Sequence, residues 1–454
     1  MRAFARQMTE RMKAVAAAGA VAAFWLAVWV FAAALVAQPL ILPGPCAVVV
    51  ALLRLVCDAS TWAILVGSGL RILGGLALAA VCGGVLAGVS VRSRTFSRLV
   101  APALSFVKAT PVACVVVLLL IWLGSARVSI AAVFLMALPG VYFSLVEGLT
   151  QADKPLEQMF RLHGVRGWRL FCAHTWREVL PFALSCARAV IGMSWKAGVA
   201  AELIGMATGT VGERIYQAKL LIETADLLAW TVLVVAASWA CEHVLVWLLR
   251  VSGPVAWRAA VRAHGRAGGS AGGGAAAELA FAVGDRAPWA PALDGLVLNV
   301  TAGGRICVMG ASGMGKSTLL ALAAGECAPC SMVFQDVRLV EDASALDNVL
   351  VCADTRVGAS SAAALLRRLV PGVDVHARVA ELSGGQRRRV EIARALLCPG
   401  DAVILDEPFT GLDAAARDAC AEVVLDLLDG RMLLPATHDA ADARALNISD
   451  IITL

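Results

Sequence analysis

Six apolar runs fill most of the first 250 residues: about Ala14 to Ala37, then roughly 61–90, 100–123, 128–150, 179–206 and 226–250. A run of about 20 such residues matches the roughly 30 Å hydrocarbon thickness of a bilayer. In that medium a lone segment satisfies its own backbone donors and acceptors only as a helix. The first half of the chain is therefore expected to be an all-α bundle of six membrane spans, with the lipid bilayer as a partner. Hydrophobic residues make up 59% of the 454-residue chain and charged ones 16%, with the charges concentrated after residue 250. Two halves in two solvents follow. The first run follows Arg2, Arg6, Arg11 and Lys13, as a leader would, but its length predicts a spanning helix rather than a cleaved segment.

Basic residues cluster before the first run, at Arg92, Arg94 and Arg98, at Lys154, Arg161, Arg166, Arg169 and Arg177, and at Arg250, Arg258, Arg262 and Arg266. By the positive-inside rule both termini and every second loop are expected on the cytoplasmic side. The net charge of +5 comes without a dense basic stretch interleaved with aromatics, so no nucleic-acid partner is expected. The 13 cysteines show no regular framework, and the lone pair Cys327 and Cys330 is expected to pack in a core rather than to hold a metal.

Residues 264–278 read HGRAGGSAGGGAAAE, the composition of a flexible tether. This predicts a transmembrane domain over 1–255, a linker over 256–278 and a second domain over 279–454. In the last, short apolar runs at 305–309, 331–334, 402–405 and 432–435 look like buried strands between helical stretches, an α/β alternation.

The apolar run ending at Met309 leads into Gly310, Ala311, Ser312, Gly313, Met314, Gly315, Lys316, Ser317 and Thr318, followed by a helix-forming stretch. This is GxxxxGK[ST] in the strand-to-helix setting that phosphate binding requires. Small residues let backbone amides wrap phosphates at a helix N-terminus, Lys316 supplies a point charge to the β- and γ-phosphates, and Ser317 offers a hydroxyl to Mg²⁺. A second apolar run ends in Asp406, Glu407 and Pro408. Asp406 is expected to hold Mg²⁺ through water, and Glu407 to polarise the water that attacks the γ-phosphate.

Leu382-Ser383-Gly384-Gly385-Gln386 followed by three arginines resembles the signature of ATP-binding cassette proteins. Gln335 in Val-Phe-Gln-Asp resembles that family's glutamine loop, Gly411-Leu412-Asp413 the loop after the catalytic glutamate, and Thr437-His438-Asp439 the switch histidine. The elements occur in family order over most of residues 293–454. The resemblance implies a P-loop ABC nucleotide-binding domain with ATP and Mg²⁺ as cofactors. Glu407, His438 and Gln335 are its implied catalytic residues, with Ser317, Asp406 and Gln335 at the metal. It also implies a dimer in which Ser383 and Gly385 face the γ-phosphate held by the partner's P-loop, with Gly384, Gln386 and Asp413 among the nucleotide-binding residues.

Upstream, over about residues 40–250, Leu42-Pro43-Gly44-Pro45, Lys108-Ala109-Thr110-Pro111-Val112-Ala113 and Ala200-Ala201-Glu202-Leu203-Ile204-Gly205 resemble tracts of nitrate, sulfonate and taurine importer permeases. Those permeases enter the ATPase through a coupling helix in a cytoplasmic loop, which the resemblance implies here as a loop at about 151–178 and a helix near 156–163, with Gln158 and Gly164 at the matching positions. An ordinary amphipathic connector is the alternative. Arg71, Lys196 and Glu202 lie in or near spans, where an unpaired charge costs about 2.5–3.5 kcal/mol, so they should pair or face a water-filled substrate path.

Some features depart from the family. Lys316 and Gln335 are 19 positions apart, roughly half the usual separation, which shortens an antiparallel β-subdomain. Trp289, with Phe281 behind it, is the candidate for adenine stacking. The chain ends soon after His438, so no regulatory domain is expected there. The resemblance implies a homodimeric, ATP-driven importer of a small solute in the bacterial inner membrane, fed by an extracytoplasmic solute-binding protein. A half-size exporter and a membrane-anchored regulatory or degenerate ATPase are the alternatives.

Overall fold

A computed structural model describes residues 2–263, 279–283, 293–327 and 330–454. The expected tether at 264–278 and the adenine-stacking candidates, Trp289 and the side chain of Phe281, lie outside what is described. By internal contact the chain forms two compact units: Met1–Gln151 with Val179–Val251, and Ala152–Glu178 with Ser252–Leu454.

The first unit is helical. In chain order come α1 (Arg2–Val36), α2 (Pro45–Cys57), α3 (Ala59–Arg92), α4 (Arg94–Ala109), α5 (Val112–Leu123) and α6 (Ser125–Gln151). After α7 (Lys154–Leu162), α8 (Gly167–Leu170) and a π-turn at Phe171–Thr175, it resumes with α9 (Trp176–Gly205), α10 (Val211–Leu220) and α11 (Thr224–Arg262). Helices stand at all six expected stretches, and they differ in length and apolar character. Among the described residues α1, α3, α6 and α11 are long and apolar enough to cross a membrane, and α4 with α5 make a fifth only as a pair bent by 103°. The bend falls at Thr110 and Pro111, both extended, because a residue before proline is pushed out of the helical region. The stretch at 179–206 lies in α9, which carries Arg177, Glu178, Arg188, Lys196 and Glu202 and is not among the apolar candidates.

Close backbone approach holds this unit together. A Cβ on Gly75 of α3 would stand 2.5 Å from the Ile130 carbonyl of α6, one on Gly83 2.8 Å from Val141, and one on Gly198 of α9 2.5 Å from Ile72. Small residues at helix crossings give the packing that drives association where lipid removes the hydrophobic drive. Ile72, Val133, Ile191 and Trp195 form the buried centre, while Ile121, Trp122, Trp239 and Trp247 point outward.

The second unit is α/β. Strands β1 (Leu279–Ala282) and β2 (Val297–Val300) form an antiparallel pair. Strands β3 (Ile306–Met309), β4 (Ser331–Val333), β5 (Ala402–Asp406), β6 (Met432–Thr437) and β7 (Asp450–Thr453) form a sheet in the order β4-β5-β6-β3-β7, with all pairs parallel. Helices α12 (Lys316–Glu326), α13 (Ala345–Leu350), α14 (Ala359–Leu369), α15 (Gly384–Leu397), α16 (Ala414–Asp426) and α17 (Ala440–Ala445) lie between the strands in sequence. Each of the four expected strands is present to within two residues. Strands β1, β2 and β7 were not anticipated.

The segment 152–178 is built into this unit. Met159 and Phe160 of α7 are fully buried in one apolar cluster with Val308, Leu320 and Ile404. Two alternate residues at edge strand β4 donate backbone hydrogen bonds to the segment: Cys330 to the Leu162 carbonyl (3.0 Å) and Met332 to His163 Nε2 (3.2 Å). Alternation puts both donors on one side of the strand, and the segment thereby covers an otherwise open edge. Cys330 is buried in the same cluster, and Cys327 packs partly buried against it.

Candidate nucleotide site

The loop between β3 and α12 surrounds a cavity of about 230 Å³ lined by Ser312, Gly313, Gly315, Lys316, Ser317, Thr318, Gln335, Asp406 and Glu407. Gly313 (φ 87°) and Gly315 (φ 93°) take left-handed backbone that side chains rarely adopt. A Cβ on Gly310 would stand 3.0 Å from the Leu454 carbonyl, so the first glycine lets β7 pack against the loop. Lys316 begins α12 and is buried, its Nζ donating to the carbonyls of Gly310 (2.6 Å) and Ala311 (3.1 Å). It also lies 3.8 Å from Glu407 Oε1.

Strand β5 delivers Asp406 and Glu407 to the floor of this cavity. Asp406 is buried, its Oδ1 has no hydrogen-bond partner, and burial pushes its carboxyl pKa up, opposed by a hydrogen bond from Ser317. A buried carboxylate oxygen without a donor, beside a serine hydroxyl, is a donor set suited to a hard cation such as Mg²⁺. Glu407 adopts φ 48°, a conformation that costs a non-glycine residue of order 1–3 kcal/mol. It is held there by its own N–H on the Ala436 carbonyl (2.9 Å) and by Arg388 Nη2 on its carbonyl (3.3 Å). His438, which follows β6, lies 2.7 Å through Nδ1 from Glu407 Oε2. A carboxylate accepts only, so Nδ1 carries the proton.

The remaining sequence candidates sit elsewhere. Ser383 caps α15: its Oγ accepts from the Gln386 N–H (3.3 Å), while Gln386 Oε1 accepts from the Ser383 N–H (2.8 Å). This capping box leaves the helix N-terminus at Ser383 and Gly384 exposed, outside the cavity lining. Gly385 packs closely under Leu412, where a Cβ would meet Cδ2 at 3.2 Å. Asp413 caps α16 by accepting from Ala416 N–H (2.7 Å). Gln158 of α7 accepts from Arg338 Nη1 (3.3 Å), and Gly164 turns the chain with φ 76°. In the helical unit, Glu202 is fully buried and accepts from Ser68 Oγ (2.8 Å) and the Gly212 N–H (3.4 Å), with Arg71 at 3.9 Å. Lys196 is exposed and does not join them.

Sequence reasoning missed Arg388. The residue is 4% exposed, and its guanidinium donates to the carbonyls of Phe334, Gln335 (2.7 Å) and Glu407 and to Glu391 (2.9 Å). The spacing Arg388, Glu391, Arg394, three residues apart along one helix face, was the available signal.

Two families match this chain: residues 80–256 match the binding-protein-dependent transport system inner membrane component, and residues 293–410 the ABC transporter. Among characterised relatives, an aliphatic sulfonates import ATP-binding protein of Paracoccus denitrificans is 34% identical over 36% of this chain and 72% of its own length. A taurine import ATP-binding protein of Pseudomonas aeruginosa is 36% identical over 35% of this chain and 70% of its own. A thiamine import ATP-binding protein of a Jannaschia species is 34% identical over 33% of this chain and 77% of its own. With a parallel-sheet P-loop unit and a helical permease region in one polypeptide, the chain belongs to the ABC transporter family, as an import-type, multi-pass membrane protein that carries its own ATPase domain.

Proposed function

We propose that two copies of this chain form a homodimeric importer in which ATP hydrolysis at the cavity beneath the P-loop drives uptake of a small organic solute. A separate extracytoplasmic binding protein would deliver the solute. The observation that carries the reading is the placement of Lys316, Asp406, Glu407 and His438 about one P-loop cavity.

In this reading Lys316 exchanges its bonds to the Gly310 and Ala311 carbonyls for the β- and γ-phosphates. Glu407, oriented by His438 Nδ1–H, holds the attacking water in line with the γ-phosphate. Ser317, Asp406 and Gln335 are the residues that would hold Mg²⁺, which when bound offsets charge on the phosphate oxygens. Because Ser383, Gly384, Gly385, Gln386 and Asp413 do not line the chain's own cavity, their assigned role is at the nucleotide of a second copy. There the exposed N-terminus of α15 would present amides to the γ-phosphate.

The basic clusters support cytoplasmic termini in a bacterial inner membrane, with α7 as the coupling helix. The domain limits in chain order stay part of this proposal as 1–255, 256–278 and 279–454, although helix α11 runs on to Arg262 through the first residues of the expected linker, and 152–178 is the piece of the permease that reaches the motor. Arg71 and Glu202 are the substrate-route pair. The sulfonate, taurine and thiamine relatives support a small organic solute. The exporter alternative lacks long cytoplasmic helical extensions between α6 and α9, and the degenerate-subunit alternative lacks a missing motif.

ATP hydrolysis by the purified protein in lipid, beside Glu407→Gln, tests the reading. Loss of about 100-fold or more in kcat with ATP binding retained is expected from removing the water-positioning group. No hydrolysis by either protein, with the binding protein supplied, would refute it.

A further inference from the structure

The mechanism above leaves one buried constellation unused. Glu391, in the middle of α15, is fully buried and ionically paired on two sides, with Arg388 Nη1 at 2.9 Å and Arg394 Nη2 at 3.3 Å. Its Oε1 also accepts the backbone N–H of Arg338 at 2.6 Å, and the Arg338 carbonyl accepts from Arg394 at 2.5 Å. Arg338 is thus pinned at both backbone groups by one carboxylate and one guanidinium.

Its side chain runs the other way. The Arg338 guanidinium lies 3.7 Å from the centre of the Phe334 ring and donates to the Pro155 carbonyl (3.2 Å) and to Gln158 Oε1 (3.3 Å) on α7. On the far side of Glu391, Arg388 reaches the carbonyls of Phe334, Gln335 and Glu407. Direct polar contacts therefore run without a gap from α7, through Arg338, Glu391 and Arg388, to the carbonyl of the residue with strained φ.

We propose that Arg338, Glu391 and Arg388 are positioning residues that set the Glu407 turn according to how α7 sits, and so make hydrolysis depend on the permease segment. The inference rests on the reading of Glu407 as the water-orienting residue. Arg388 is suited to the task because a planar guanidinium bonds several carbonyls in fixed relative geometry, which an ammonium cannot. Glu391 fixes that plane from below, and the left-handed backbone at Glu407 makes the carboxylate's aim sensitive to the carbonyl that Arg388 holds. The aromatic contact with Phe334 keeps Arg338 beside the glutamine loop, so displacement of α7 acts on Gln335 and Glu407 together.

Hydrolysis and hydrogen exchange of the full-length protein in lipid test this. Arg338→Ala keeps the backbone bonds to Glu391 and Arg394 and removes the link to α7. It should lower kcat about 10-fold while KM for ATP stays within about 2-fold. Gln158→Ala should lower kcat about 3-fold, and the double variant should fall no further than Arg338→Ala, because both act on one link. Arg388→Lys keeps the charge beside Glu391 but not the bonds to three carbonyls, and should lose more kcat than its fall in melting temperature accounts for. Amide exchange over 407–412 should quicken about 10-fold in Arg338→Ala without nucleotide.

Parent-like kcat and exchange in Arg338→Ala would overturn the proposal. Equal loss of kcat, ATP affinity and melting temperature would do the same, since that marks a purely structural role. Hydrolysis surviving in Glu407→Gln would instead refute the assignment of Glu407. The exchange measurement needs no hydrolysis and would still decide whether the contacts reach that turn.

Discussion

Among the described residues each unit buries one glutamate completely, Glu391 and Glu202, and the two are treated in opposite ways. Glu391 in the α/β unit has two guanidiniums and a backbone amide on its oxygens. Glu202 in the helical unit has hydrogen bonds on Oε2 alone, while Oε1 and Arg71 Nη1 face each other at 3.9 Å and neither has a hydrogen-bond partner. A buried carboxylate is retained only where attraction and hydrogen bonds offset its desolvation. The first pairing is saturated and rigid. The second leaves bonding capacity on both partners, which suits a pair that rearranges, and the helical unit takes its cohesion instead from glycines at crossings.

The contrast predicts opposite rankings in the two units. Glu391→Gln strips the anion from between two buried guanidiniums and should cost about 3–5 kcal/mol, read as a fall in melting temperature. Gly75→Ala should cost about 1–3 kcal/mol, because its methyl would strike backbone that cannot yield. Glu202→Gln keeps the Ser68 bond and should cost less than about 1 kcal/mol. If Glu202→Gln costs more than Gly75→Ala, the helical unit depends on charge after all and the comparison fails.

Between these in size lies a pH effect. Burial pushes the pKa of His163 from 6.5 down to about 3, so it stays neutral against β4 while the unfolded chain takes a proton. Its contribution is complete above pH 6.5 and is lost as pH falls from there towards 3. That amounts to about 1.4 kcal/mol at pH 5.5. The protection factors at Cys330 and Met332, exchange rates corrected for the slower intrinsic chemistry at low pH, should fall on acidification, and His163→Gln should flatten that response.

What the sequence made legible was whatever is contiguous. The P-loop and Asp406 with Glu407 are each set by neighbours in the chain, and they line one cavity as their spacing implied. Proline at 111 carried a turn signal, though not the size of the bend it marks. The role of Arg388 was hidden because three successive arginines read as a solvated face, and burial is decided by what α15 packs against. Strands β1, β2 and β7 span four residues each, too few for alternation to be distinguished from loop. The charges of α9 were visible, yet the apolar average between them suggested an ordinary span.

The place of 152–178 in the α/β unit also has a consequence in time. His163 and its donor Met332 are 169 positions apart. At about 5–20 residues per second, a ribosome needs roughly 10–30 s to make the strand that α7 covers. Throughout that interval Met159 and Phe160 form an apolar face whose intended cover has not been synthesised. A nascent chain of this kind is expected to be most vulnerable to aggregation and proteolysis in the middle of its own translation. Severing it between the halves would make that passing exposure permanent.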